Sequence, residues 1–226
     1  MKTVKVFFVL ASTSFLMACG GGGEDATPII TSSAKFALDT AYTQAMTSGI
    51  SLAGTAVDGA DTWTLSLSVA PAADGTFEGV STKKANQSLT MKKNGVTVLT
   101  SNIESFFTTN PLAIRGAKYS DGTYAVQTAA NGALSNTAVV GNSGPFGTLT
   151  VYSNSSKNAV LLTQDSTWTL EADTATTAYG CVNSVGKNVS GVVVSTSSGC
   201  YKIDTDGKVL GMKYTLAVAG KTLEFR

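Results

Sequence analysis

The chain has 226 residues, a net charge of +1 and no histidine. The balanced charge and the lack of a basic patch argue against a nucleic-acid partner. Without histidine there is no Ser-His-Asp or Cys-His catalysis and no zinc site built on imidazole, although carboxylate pairs and Ser-Lys chemistry remain open.

Lys2 and Lys5 precede an apolar run from Val6 to Met17, interrupted only by Ser12, Thr13 and Ser14. A bilayer span needs about 20 apolar residues, so this run has the length and flanks of a secretory signal instead. It closes on Leu16-Met17-Ala18-Cys19, followed by Gly20-Gly21-Gly22-Gly23. Leu-x-Ala-Cys at this place resembles the lipobox of bacterial lipoproteins. In that family signal peptidase II cuts before the cysteine, whose sulfur is then lipidated. The resemblance implies a signal peptide over residues 1–18, with Leu16, Ala18 and Cys19 as its cleavage motif. It also implies that Cys19 carries the lipid, palmitate included. The partners implied are a membrane, reached through the anchor, and the lipoprotein processing and sorting machinery. Two or more acyl chains anchor firmly where one is marginal, at ~0.8 kcal/mol per buried CH₂. Gly20, not aspartate, follows the cysteine, which by the family's sorting rule implies the outer membrane, on either its periplasmic or its surface face. The chain further resembles Gram-negative envelope lipoproteins that begin with a cysteine and a glycine run, a resemblance that carries no activity. The rival reading, an ordinary cleaved signal, would leave Cys19 as an odd thiol.

Residues 19–33 read as the lipidated cysteine and a flexible Gly-rich tether. The body, residues 34–226, is mainly β in its usage: Thr, Ser, Ala, Gly and Val outweigh Leu and Glu, and charged residues are only 14%. Leu38, Ala41, Tyr42, Ala45 and Met46 recur at spacings of three and four, which predicts a helix over Ala34 to Met46, capped by Ser33 and ended by Gly49. A strand with Phe36, Leu38, Thr40 and Tyr42 on one side is the competing reading. From Ile50 the pattern is β. Trp63, Leu65, Leu67 and Val69 alternate with polar residues and share one face. Ala72 to Gly75 reads as a turn and Phe77 to Thr82 as a strand. Asn94-Gly95 between Ser88–Lys92 and Val96–Thr100 is a strong hairpin marker, because both turn residues need positive φ. Ile103 to Pro111 breaks the pattern, and Phe106-Phe107 read as a loop plugging the end of a core. Strands are expected at Leu112–Ala117, Tyr124–Thr128, Ala138–Val140, Thr148–Tyr152, Val160–Leu162 and Thr167–Glu171, punctuated by Asp121-Gly122, Asn131-Gly132 and Asn142 to Pro145. The C-terminal part reads as a meander: Tyr201–Ile203, a turn at Asp204–Gly207, Val209–Val218, a turn, and Thr222–Phe225.

Cys181 and Cys200 are expected to form a disulfide, worth ~3 kcal/mol by loop closure, in an exported chain that permits it. Two cysteines so far apart, without histidine, make a poor metal pair, and no cofactor is expected. The fold class is an antiparallel β-sandwich or β-barrel-like body with one short N-terminal helix. Thr62-Trp63-Thr64-Leu65 returns as Thr167-Trp168-Thr169-Leu170, which allows two related lobes, 34–130 and 131–226, beside one undivided body.

Four places are candidate sites. Trp63 and Trp168 could stack on sugar rings, although alternating strands favour core packing. Asp204-x-Asp206-Gly207 begins like a calcium loop but lacks the later carboxylate, so an ordinary turn is preferred. Lys83-Lys84 and Lys92-Lys93 could touch anionic lipid or glycan, or keep an edge strand soluble. Glu171 and Asp173 lie two apart on one strand face, where they could pair as an acid and a base. The expected function is a non-catalytic envelope module of structural or protein-binding role, with a glycan- or small-ligand-binding module as the alternative and a carboxylate-based hydrolase behind it. Metabolic labelling with a palmitate analogue should mark the wild-type chain and leave Cys19→Ser unmarked. An intact mass whose N-terminus is not a lipidated Cys19 would remove the anchor.

Overall fold

The computed structural model describes residues 32–129, 132–218 and 221–226. Residues 1–31, which hold the expected signal peptide, the lipobox-like motif, Cys19 and most of the expected tether, lie outside them. The elements are α1 (Leu38–Thr47), β1 (Ile50–Asp58), β2 (Asp61–Val69), β3 (Ala73–Phe77), β4 (Val80–Lys93), β5 (Val96–Thr109), β6 (Leu112–Tyr119), β7 (Tyr124–Ala129), β8 (Ser143–Tyr152), β9 (Val160–Ala172), β10 (Thr177–Lys187), β11 (Val193–Asp204), β12 (Val209–Val218) and β13 (Lys221–Phe225). The described residues are thus mainly β, with one short helix.

All strands belong to one antiparallel sheet in the order β1-β2-β4-β5-β6-β7-β8-β9-β10-β11-β12-β13. β3 continues the line of β2 along β4: Val69 faces Gln87 and Ala73 faces Lys84. The break between them holds Pro71, which has no N–H to give to a ladder. The sheet curls until its first and last strands meet. Thr55 N donates to Arg226 O at 2.8 Å, and Arg226 N donates back to Thr55 O at 3.2 Å. The result is a nearly closed barrel.

Period-two patterning sets the faces. Trp63, Leu65 and Val69 of β2 point inward and are buried, while Ser66 and Ser68 between them are exposed. Inward apolar and outward polar is the reverse of a membrane-spanning barrel's pattern. The Asn94-Gly95 hairpin forms as expected, with φ of 49° and 82°.

Helix α1 sits across one end of the barrel. Its buried residues are Leu38, Ala41, Tyr42, Ala45 and Met46, the predicted stripe. It begins at Leu38, four residues later than expected, because Phe36 forms a bridge with Ala138 instead. No Ser33 cap forms; Asn136 Oδ1 accepts from Thr40 N and Thr40 Oγ1 in its place. Gly49, at φ 80°, ends the helix where a Cβ would lie 2.8 Å from Val69 O. The hairpin turns between β9 and β10 and between β11 and β12 lie at this same end: Ser32 Oγ donates to Ala175 O, and Ala37 N donates to Thr205 O.

Among the described residues the interior holds three cores. The helix-end core joins α1 to Phe107, Leu112, Trp168, Leu170, Ala178 and Ile203. Towards the other end, one core gathers Trp63, Leu65, Met91, Leu216, Leu223 and Phe225. A smaller one gathers Ala117, Ala125, Val151 and Leu162. Trp63 and Trp168 therefore stand in different cores, joined by one continuous sheet.

Several expectations are corrected. Phe106 and Phe107 are not a plugging loop but adjacent residues of β5. Phe107 points inward, and Phe106 points outward to stack on Phe77, with ring centroids 4.6 Å apart. Both are buried, Phe107 in the interior and Phe106 under Phe77, so the pair shows no polar–apolar alternation in the sequence. Ala73 to Phe77 is strand, and the turn falls at Glu78 and Gly79, both at positive φ. Ala138 to Val140 holds only the bridge to Phe36, whereas Ser143 to Pro145 lie inside β8. Val160–Leu162 and Thr167–Glu171 are parts of the single strand β9.

The β3–β4 hairpin lies over the outer face of β5, β6 and β7. Phe77 packs on Phe106 and Tyr124, and Gly116 beneath it makes the approach feasible. A Cβ at Gly116 would sit 2.3 Å from both Ala125 O and the Phe77 ring. Neither can yield cheaply, so Gly116→Ala should cost about 1–3 kcal/mol by overpacking. Urea unfolding checks this, and an unchanged midpoint would mean the hairpin is not docked.

Candidate functional site at the end opposite the helix

Antiparallel connections alternate between the two ends of a barrel. The end opposite α1 carries the tips between β1 and β2, β4 and β5, β6 and β7, β8 and β9, and β10 and β11. Ten large hydrophobic residues are exposed among the described residues, and eight of them lie at this end: Val57, Val96, Val98, Val160, Val189, Val192, Val193 and Val194. Four belong to the β10–β11 tip, where Val189 is 75% exposed. The turn itself is well formed: Asn188 Oδ1 accepts from Ser190 N and Val192 N. The valines are thus held out by an ordered hairpin. Ion pairs brace the surrounding strands, Lys93 with Asp61 and Lys187 with Asp165. Lys187 and Thr148 hold the Asp165 carboxyl below the usual carboxylate range.

Behind this rim the cores leave space. One cavity lobe of about 160 Å³ is lined by Tyr42, Leu67, Leu89, Tyr201, Met212 and Tyr214, among others. A second of about 190 Å³ is lined by Tyr119, Phe146, Leu149, Gln164 and Val182 among others, and Gln87 and Ile103 border both lobes. Tyr42 closes the helix side, its hydroxyl donating to Gly180 O at 3.0 Å and its ring 5.0 Å from that of Tyr201. Tyr119, Tyr201 and Tyr214 stand deep in the barrel yet remain half-buried because they border this space. Burial pushes all three phenols up to about 12, reinforced by Asp121 at Tyr119, by Tyr214 at Tyr201 and by Tyr119 at Tyr214.

The residues singled out in the sequence fall elsewhere. Trp63 and Trp168 are buried in two separate cores, at 9% and 7% exposure, with Lys93 Nζ 5.4 Å from the Trp63 ring. Lys83 pairs with Asp74, the residue facing it on β3, and Lys84 pairs with Glu104 on the outer face. Asp204 Oδ1 accepts from Asp206 N and Lys208 N, so the carboxylate is spent on its own turn. Glu171 pairs with Lys213, and Asp173 with Lys202 at 2.8 Å. Burial pushes the Asp173 carboxyl up, but Lys202, Thr177 and Arg226 outweigh it and hold the group below its ordinary value. Two ion-paired carboxylates lack the unlike environments that an acid and a base need.

The Cys181–Cys200 disulfide forms between residues that face each other across β10 and β11. It lies on the outer face beneath Tyr179, whose ring is 4.8 Å from Lys213 Nζ. Glu171 comes close to both sulfurs, but sulfurs bonded to each other are not thiolate ligands.

The tyrosines and the valine tips are not singled out by sequence reasoning. A lumen tyrosine and a core tyrosine occupy the same alternating positions. Val192-Val193-Val194 does carry a signal, since three consecutive valines cannot all face one core. Comparison with known protein families, curated proteins and solved structures gives no match.

The phenols set an alkaline limit. Each has a folded pKa above the unfolded value near 10, so its contribution is complete below that value and is lost as pH rises to about 12. Unfolding free energy should fall across this window, and Tyr119→Phe/Tyr201→Phe/Tyr214→Phe should flatten the fall. The same pH profile in the triple variant would show that these phenols are not so buried.

Proposed function

We propose that this chain is a lipid-anchored protein of the outer membrane whose barrel is a non-catalytic, protein-binding module. The observation that carries this reading is the gathering of exposed valines on the hairpin tips opposite α1. Single exposed apolar residues are common, but a concentration of them at one end of a molecule marks an interaction surface. The chain enters the body at the helix end, where Ser32 donates to Ala175 O. A body tethered through Cys19 thus presents its valine tips away from the point of attachment, towards an envelope partner. The ion-paired state of Glu171 and Asp173 supports the non-catalytic part of the reading.

Site-specific photocrosslinking in intact envelopes tests it. A benzophenone side chain at Val193 should give one discrete protein adduct, and one at Leu210, on the opposite end, should not. Val192→Ser/Val194→Ser should reduce the Val193 adduct about tenfold while leaving the unfolding midpoint in place, since exposed substitutions change stability by less than about 0.5 kcal/mol. Equal adducts at both ends, or none at Val193, would overturn the reading.

A further inference from the structure

We infer that the cavity inside the barrel is a binding site for a small, uncharged molecule with an apolar body and a hydrogen-bond acceptor. The inference is independent of the rim's protein partner. It rests on the volume, the polar groups and the missing charge of the lining.

The volume is sufficient. Each lobe, at about 160 and 190 Å³, matches the ~150 Å³ at which an apolar protein cavity takes up benzene. Gln87 and Ile103 border both lobes, which therefore lie side by side.

The polar groups supply the specificity. Among the described residues the Tyr119, Tyr201 and Tyr214 hydroxyls make no hydrogen bond, whereas Tyr42 reaches Gly180 and Tyr124 reaches Glu78. All three residues are half-buried and border the two lobes, so their hydroxyls are open to an acceptor from outside the chain. Water can supply it, and so can a carbonyl or ether oxygen. Leu67, Met212, Phe146 and Leu149 line the same space and favour a molecule with an apolar body over water alone.

The charge is missing altogether. Among the described residues, no Asp, Glu, Lys or Arg lines either lobe. An ionised ligand would lose its hydration without gaining a counter-charge, which is prohibitive in such a space. The ligand class is therefore neutral.

Three probes of one shape separate the acceptor from the apolar body and from charge: 4-fluoroacetophenone, with a carbonyl acceptor; 4-fluorocumene, its near-isostere without one; and 4-fluorobenzoate, its charged analogue. Fluorine NMR titrations use the full chain in lipid nanodiscs, with empty discs as reference. 4-Fluoroacetophenone should bind, 4-fluorobenzoate should not, and 4-fluorocumene should bind about fivefold or more weakly, the worth of one net hydrogen bond. At least one of Tyr119→Phe, Tyr201→Phe and Tyr214→Phe should weaken 4-fluoroacetophenone by a similar factor. These variants keep the ring, so the cavity wall stays in place. No binding of 4-fluoroacetophenone at millimolar concentration would mean a cavity that holds water only, and the assignment would fall. Equal affinity for the acetophenone and cumene probes, uptake of benzoate, or indifference to all three Tyr→Phe changes would each overturn it as well.

Discussion

The hydrogen-bonded pair between Thr55 and Arg226 is the constraint from which the rest of the structure follows. A long antiparallel sheet with free edges would present unpaired N–H and C=O groups to any other strand. Joining β1 to the end of β13 reduces that exposure, but it fixes the circumference. Eight strands enclose just enough room for side chains to fill a barrel, and the diameter grows with strand number. The path here runs through twelve strands, with β3 lengthening β2. Side chains alone cannot fill so wide an interior. Helix α1 plugs one end, two cores form towards the other, and the volume between them is the tyrosine-lined cavity. The helix and the cavity are thus consequences of the strand count.

This explains which parts of the fold are legible in the sequence. Local rules read local features well. The apolar stripe Leu38 to Met46, the positive-φ turn at Asn94-Gly95, the inward face of β2 and the Cys181–Cys200 pairing all depend on neighbours within one element or one hairpin. The failures arise where distant chain decides. The start of α1 is set by Asn136 and Ala138, nearly a hundred residues away in the sequence. Phe106 is apolar on the outer face because Phe77 and Tyr124, well away in the chain, cover it, which no alternation count detects. The candidate site is the least legible part, because a strand pattern says which residues face inward but not whether the interior is full.

The outer face tells a complementary story. Tyr124 O–H and Lys157 Nζ both reach Glu78, at 2.7 and 2.5 Å, and tie the β3–β4 hairpin to β7 and the β8–β9 turn. Lys157 and Tyr124 together hold the Glu78 carboxyl below its ordinary value. Yet Glu78 and Lys157 are partly open to solvent, and such pairs contribute at most about 1 kcal/mol. The buried contact of Phe77 with Phe106 and Tyr124 stabilises the hairpin more, since aromatic burial contributes several kcal/mol per side chain. The ion pair orients a hairpin that apolar packing holds down. Lys202 and Lys213 likewise pair with Asp173 and Glu171 around Tyr179, over a disulfide that already joins facing residues.

Folding accounts for the cores and for the phenylalanine cluster, but not for the end opposite α1. A hairpin tip needs turn residues, and Asn188, Ser190 and Gly191 meet that need. The side chains of Val189, Val192, Val193 and Val194 make none of the turn's hydrogen bonds and face water, where apolar area gives up ~25 cal/mol per Å² that burial would recover. The same argument applies within the barrel: phenylalanine at positions 119, 201 and 214 would spare three hydroxyls from standing without protein partners. Two sets of residues, one at the rim and one behind it, thus run against the interest of the isolated fold. Such departures are expected where a surface or a cavity is shaped for something outside the chain.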